Sequence, residues 1–336
     1  MSSDIVVAPT AKRRSSSTLS WRRMGGWANL GLLVAAVVMF IFFSLTAPNF
    51  LEVSNLLNVL QQTAFFGIIA YAMTLVIVAG EIDISVGSQA ALSSALLGVL
   101  VAHLGWPMWL ACLVIIVQAV LVGAFAGWIR ARFQVPSFIT TLALYMALRG
   151  LAMMITHTYA IPIDSKQFFY WGDGKIFGQV PVAALYMLLA FAVFALLARF
   201  SVFGRSVYAV GGNPKAAHLS GIKVQRIRIA VLALAGLAAA ITGLLQSAQL
   251  SSGTPTIAIG LEFDAIAAAI IGGTSLSGGR GTVVGTFLGV IFVAMLSNGM
   301  VLLGVDPYVQ NVVRGAVVLV AVLINVLRSE HSALKT

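Results

Sequence analysis

Two acidic triplets stand out by their spacing: Glu81-Ile82-Asp83 and Glu262-Phe263-Asp264, in a chain with only ten acidic residues. Two arginines, Arg149 and Arg314, each precede a glycine within an apolar run. Carboxylates and guanidiniums so placed could form ion pairs that break and reform, which is the chemistry of a gate. The plainer reading of Glu81, Asp83, Glu262 and Asp264 is favourable charge at a helix N-terminus. Five amides also fall in or beside apolar runs: Gln61, Gln62, Asn298, Gln310 and Asn311. Amides both donate and accept, so they suit a hydroxyl-rich ligand on a translocation path or, more simply, interhelical hydrogen bonds.

Catalytic chemistry finds little support. His103, His157, His218 and His331 are scattered without metal-ligand spacing, and no serine–histidine arrangement accompanies them. A single cysteine, Cys112, excludes an intrachain disulfide and a cysteine metal site. The glycine cluster Gly272–Gly281 lacks the lysine of a phosphate-binding loop and follows no strand. It reads as a tight turn between closely packed helices or as a hinge. The chain is expected to hold no metal or cofactor and to catalyse no covalent step.

The elements that carry these residues follow from composition. Of 336 residues, 60% are hydrophobic and 9% charged, with a mean hydropathy of +1.00. That leaves too little polar surface for a soluble fold, so an all-α integral membrane protein is predicted. A bilayer core about 30 Å thick takes about 20 helical residues per crossing. Ten stretches qualify: 27–47, 56–79, 86–104, 107–129, 137–157, 181–199, 229–250, 263–277, 282–303 and 307–327. The first exceeds the apolar region of a signal peptide and has no small-x-small cleavage site after it. A basic, serine-rich tail over 1–26, expected to be disordered, precedes this transmembrane domain (27–327), and a short tail over 328–336 ends the chain.

With both termini in the cytoplasm, 16 of the 20 lysines and arginines fall inside and only Lys166 and Lys175 outside. This sorting obeys the positive-inside rule and turns the net charge of +10 into topology, with no need of nucleic acid. The acidic triplets and the Arg-Gly pairs recur five helices apart, as an inverted repeat of five plus five helices would place them. Trp106, Trp109, Tyr170 and Trp171 read as an interfacial belt. The pairs Gly123 with Gly127 and Gly285 with Gly289 permit close helix packing, within one chain or between two.

The basic loop 200–228 holds a local signal of its own. Asn213 is a good N-cap, Pro214 suits the first helical position, and Gly221 suits the left-handed residue after the end. A two-turn helix is therefore predicted over Pro214, Lys215, Ala216, Ala217, His218, Leu219 and Ser220. So short a helix is marginal alone and needs a surface to dock on, either a partner's groove or its own membrane domain.

Here the sequence resembles a known family. Lys215-Ala216-Ala217-x-x-x-Gly221 resembles the Glu-Ala-Ala-x-x-x-Gly coupling motif of ABC-importer permeases. Phe203-Gly204-Arg205, Tyr208 to Asn213, Gly80 to Ser88, Asp264 to Ala268, Gly272 to Gly281 and Asn298-Gly299 resemble the ribose-type sugar permeases in particular. Two positions depart: Lys215 replaces the usual glutamate, and Glu81 stands where a second glycine is common. The resemblance implies a multi-pass permease of the bacterial inner membrane that carries ribose or another monosaccharide. It further implies a homodimer, a tandem-domain ATPase subunit that binds ATP and magnesium, and a periplasmic sugar-binding protein. The rival readings are a secondary transporter driven by an ion gradient through Glu81 and Asp83, and a membrane-embedded enzyme, which would need clustered catalytic groups.

Overall fold

A computed structural model describes residues 18–333, with side-chain surroundings over 30–323, and the described chain is mostly helical. The longer helices are α1 (Thr18–Thr46), α2 (Val53–Val78), α3 (Val86–Gly98), α4 (Met108–Phe133) and α5 (Ser137–Ile155). A π turn over Val99–His103 prolongs α3. A short α6 (Lys166–Asp173) precedes α7 (Val182–Phe200), α8 (Val202–Gly212) and α9 (Pro214–Leu219). The chain continues through α10 (Val224–Leu250), α11 (Leu261–Ile271), α12 (Val283–Leu302) and α13 (Pro307–Ala333).

Seven of these are long and apolar enough to cross a membrane: α2, α3 with its π turn, α4, α5, α7, α10 and α12. Shorter apolar stretches, Leu30–Thr46 and Pro307–Leu323, lie within α1 and α13. The predicted crossing over 263–277 is shortened. Helix α11 stops at Ile271 and is about 16 Å long, too short to span alone. Gly273, Gly278 and Gly279 take the left-handed backbone, which ends the helix and turns the chain. At the ends of the chain, α1 begins at Thr18, inside the expected tail, and α13 runs on to Ala333. Residues 1–17 and 334–336 lie outside the described residues.

Lipid supplies no hydrophobic drive between helices, so close packing and interhelical hydrogen bonds must hold them. Both are present. Helix α2 is the centre, with most of its length buried against α7, α10, α11 and α12. Thr74 and Thr286 share a hydroxyl bond of 2.6 Å between α2 and α12, and Thr242 of α10 donates to the Phe65 carbonyl of α2 at 3.0 Å. Helices α4 and α10 approach backbone to backbone. A Cβ on Gly123 would stand 2.2 Å from the Leu232 carbonyl oxygen, and one on Gly127 2.6 Å from the Ile229 Cα. Gly289 presses in the same way on Ala268 of α11, and Gly285 on Gly272 just after its end. Both glycine pairs thus serve packing inside one chain.

The two ends of the bundle differ in charge. At one end meet the end of α2, the end of α4, the start of α10, and α8. Glu81 pairs there with Arg130 and Arg228, and the Gly279 amide donates to the Val78 carbonyl at 2.8 Å. Tyr208 of α8 donates to the Gly281 carbonyl at 2.8 Å, drawing the glycine-rich turn to that end. At the other end, a two-residue ladder pairs Ile161 with Gly253, and Gly172 of α6 sits on the Gln249 backbone of α10. Lys166 and Lys175 belong to that second end.

Candidate functional site

A cleft of about 140 Å³ opens between α2, α11, α12 and α13. Its polar lining comes from Gln62, Thr63, Asp264, Ser297, Asn298 and Arg314. Four of these, Gln62, Asp264, Asn298 and Arg314, were singled out by type from the sequence, and the fold gathers them from four helices. Arg314 faces Asp264 at 3.5 Å, so the two charges answer one another. Asn298 is held by a reciprocal amide pair with Asn55, at 2.9 and 3.1 Å. Gln62 is exposed, lines the cleft and makes no hydrogen bond among the described residues.

The other amides go elsewhere. Gln61, one residue and about 100° round the helix from Gln62, is buried and donates to the Gly172 carbonyl (3.1 Å) and to Asp173 (2.9 Å). It ties α2 to α6. Gln310 is buried and donates to the Val305 carbonyl at 2.8 Å, closing the start of α13. Asn311 is exposed and does not line the cleft.

The charged residues divide differently from the sequence reading. Glu81 and Asp83 do not meet Arg149. The 81–84 segment is bound by the start of α5: Ser137 accepts from the Ile82 amide at 3.0 Å and Thr141 from the Ile84 amide at 3.1 Å. Arg149 lies about 18 Å further along that rigid helix from Ser137. There it donates to the Pro255 and Ile257 carbonyls at 2.9 and 2.8 Å, pinning the segment that leads into α11. Glu81, almost wholly buried, instead takes both Arg130 (3.1 Å) and Arg228 (2.8 Å). Glu262 is fully buried beside Gly87, in the first turn of α3, and accepts no hydrogen bond among the described residues. A Cβ at position 87 would stand 2.8 Å from the Ala258 carbonyl oxygen, a backbone atom, and 2.0 Å from the Glu262 carboxylate, so glycine lets the two segments approach.

Asp83 caps its own turn, accepting from the Ser85 amide (2.8 Å) and hydroxyl (2.6 Å). Burial nonetheless pushes its carboxyl up from 3.8 to about 6, against the pull of those two bonds. A carboxyl whose pKa rises on folding binds its proton more tightly in the folded state. Its stabilising contribution is full below the unfolded pKa and is lost as pH rises through the folded one. Asp83→Asn is therefore expected to flatten the fall in stability between pH ~4 and ~6. Thermal-unfolding midpoints in detergent across that window measure it.

Helix α9 packs beside α8 and the start of α10 near the basic end, with most of its residues exposed. Asn213 accepts from the Ala216 amide at 3.0 Å, and Pro214 opens the helix. At its far end Gly221 takes φ +84°, the Gly221 amide donates to His218, and the Ile222 amide donates to Ala217. These two bonds are a Schellman closure, so the short helix has both ends satisfied. Ala217 alone is buried; Leu219 is 88% exposed at the tip. A cleft of about 580 Å³ separates α9 from the start of α10.

Comparison with known proteins decides the class. Residues 55–322 match the family described as branched-chain amino acid transport system, permease component. The chain belongs to this permease family. Among relatives, a probable ABC transporter permease, YphD of Escherichia coli K12, is 46% identical and covers 90% of this chain and 91% of its own. The ribose import permease RbsC of Bacillus subtilis 168 is 42% identical (90% and 94% covered). The xylose transport system permease XylH of Escherichia coli K12 is 35% identical (87% and 90% covered). No solved structure matches the chain.

The matched region of the permease contains the whole cleft, the Glu81 cluster and α9, while all of α1 lies before it. Sequence reading gave no site role to Asn55, Arg130 or Arg228, and it named Tyr208 only within a family-like segment, with no role of its own. None carries a local signal, because each acts through a partner more than 48 positions away. It also passed over α6 and α8, although Ser165 and Ser201 are ordinary N-caps, accepting from the Phe168 and Gly204 amides.

Proposed function

We propose that this permease is the membrane-spanning subunit of an ATP-driven importer that carries a monosaccharide, ribose or another pentose, into the cytoplasm. The observation that carries the reading is the pair of pentose permeases, 42% and 35% identical over about nine-tenths of the chains. The cleft chemistry supports it. Asp264 and Arg314 answer each other, so neither charge is left over for a zwitterionic amino acid. The amides and hydroxyls of Gln62, Asn298, Thr63 and Ser297 suit an uncharged polyol.

In this reading the chain crosses the bacterial inner membrane ten times, as two inverted halves of five crossings, with both termini in the cytoplasm; the eighth crossing is shared by residues 254–260, the short α11 and the glycine-rich turn. The charge-rich end of the bundle is then the cytoplasmic one. Two copies of the permease form the path, with the Gln62–Asn298 clefts on either side of it. A tandem-domain ATPase subunit binds ATP and magnesium and docks on α9. A periplasmic binding protein delivers the sugar at the end that carries Lys166 and Lys175.

Reconstitution in proteoliposomes tests this reading. Uptake of radiolabelled ribose or xylose is expected to need the ATPase subunit, the binding protein and internal ATP. It is expected to persist when a protonophore or a sodium ionophore collapses the gradients. Uptake that needs a gradient and not ATP would establish the secondary-transporter reading instead.

A further inference from the structure

The surface around α9 carries charge of one sign. Between Asp173 and Glu262 the sequence has no acidic residue at all. Yet this stretch supplies Lys215, Lys223 and Arg226 to one cleft, all exposed and none with an ion-pair partner among the described residues. His218 lines the same cleft, and Leu219 projects beside it with almost all of its side chain bare. The fourth basic wall residue, Arg228, is different, since Glu81 holds it from within the bundle at 2.8 Å. The result is a rigid, doubly capped knob with one apolar tip and a basic cleft at its foot.

We infer that this knob and cleft fit an acidic protein groove: an apolar seat for Leu219, rimmed by carboxylates that enter the cleft and meet Lys215, Lys223 and Arg226. The inference rests on the reading that an ATPase subunit docks at α9, and it adds the chemistry of that subunit's surface. Charge complementarity selects the occupant. Lysine at position 215 favours a carboxylate partner, and three unanswered cations in a concave site leave room for projecting acidic side chains. Anionic lipid is the alternative source of negative charge. A headgroup layer, however, meets cations with mobile charges, whereas a protein groove can hold carboxylates at fixed places opposite Lys215, Lys223 and Arg226. Helix α9 also turns only one large apolar side chain outward, far less than an interfacial helix needs.

The test uses the full permease in nanodiscs of neutral phosphatidylcholine, or of the same lipid with anionic phosphatidylglycerol. The probe is the importer's purified ATPase subunit, and the readout is its Kd as a function of salt. Binding is expected to weaken steadily with salt and to be alike in both lipids. The reversal Lys215→Glu with Lys223→Glu is expected to weaken it by about tenfold or more, with the salt dependence lost. Leu219→Ser is expected to weaken binding while leaving the salt dependence intact. These residues are exposed, so unfolding midpoints should not move. Salt-independent binding that is indifferent to charge reversal overturns the inference while leaving the docking reading standing. Loss of an anionic-lipid effect alone, with ATPase binding unchanged, also overturns it and assigns the surface to lipid. Absence of any ATPase binding by the folded wild-type permease defeats the docking reading itself.

Discussion

Glu81→Gln is expected to destabilise the permease by about 3–5 kcal/mol, the scale for removing one partner of a buried ion pair. The glutamate is 2% exposed and is shared by Arg130 and Arg228. Its removal leaves two part-buried cations facing each other with no charge between them. Glutamine keeps the shape but carries no charge to answer them. The second substitution separates charge from shape: in an Arg228→Gln background the same change at 81 should cost less, because one of the stranded cations is already gone. Thermal and denaturant unfolding in detergent reads both effects. Equal losses in the two backgrounds would show that Arg228 and Glu81 act independently.

Gly123→Val carries the other large effect. A Cβ at this position falls 2.2 Å from the Leu232 carbonyl oxygen and 3.0 Å from the Ala233 Cα. Both are backbone atoms, so no rotamer change relieves the contact, and α4 must move off α10. Overpacked cores lose about 1–3 kcal/mol and sometimes more, and a backbone clash belongs at or beyond the upper end. The expected result is aggregated protein on gel filtration, or a midpoint far below wild type. Gly150→Ala is the control. Nothing lies within 4 Å of a Cβ there, so the change should be neutral or gain up to about 1 kcal/mol from helix propensity.

These two sites show how unequal the sequence was as a guide. The glycine pair Gly123 and Gly127 announced a close helix contact by type and spacing, yet left the partner open. The contact with α10 is made by Leu232 and Ile229, more than 100 positions downstream. At α9 the sequence sufficed for the local geometry, because Asn213, Pro214 and Gly221 act within a single turn of their own backbone. At Glu81 it marked a charge able to pair and left the partner open between Arg149 and Arg314, whereas the fold sets Arg130 and Arg228 against it. Arg149 was plausible by type and by its echo in Arg314. The rigid length of α5 holds it away from the 81–84 segment. The cleft falls between these cases, with Gln62 and Asn298 legible as costly polar groups and their shared destination not legible.

Hydropathy, basic-residue sorting and capping determined, from sequence alone, a helical membrane protein with a capped helix in a basic loop. Each of these depends on residues a turn or a span apart, where covalent connection already sets the distance. The tertiary structure alone decided which arginines hold Glu81, which amides share the cleft and which helices the glycines bring together. It also cut the predicted span over 263–277 to a helix ending at Ile271. Those choices depend on atoms that meet only after the helices have packed, when shape and distance, no longer order along the chain, select the partner.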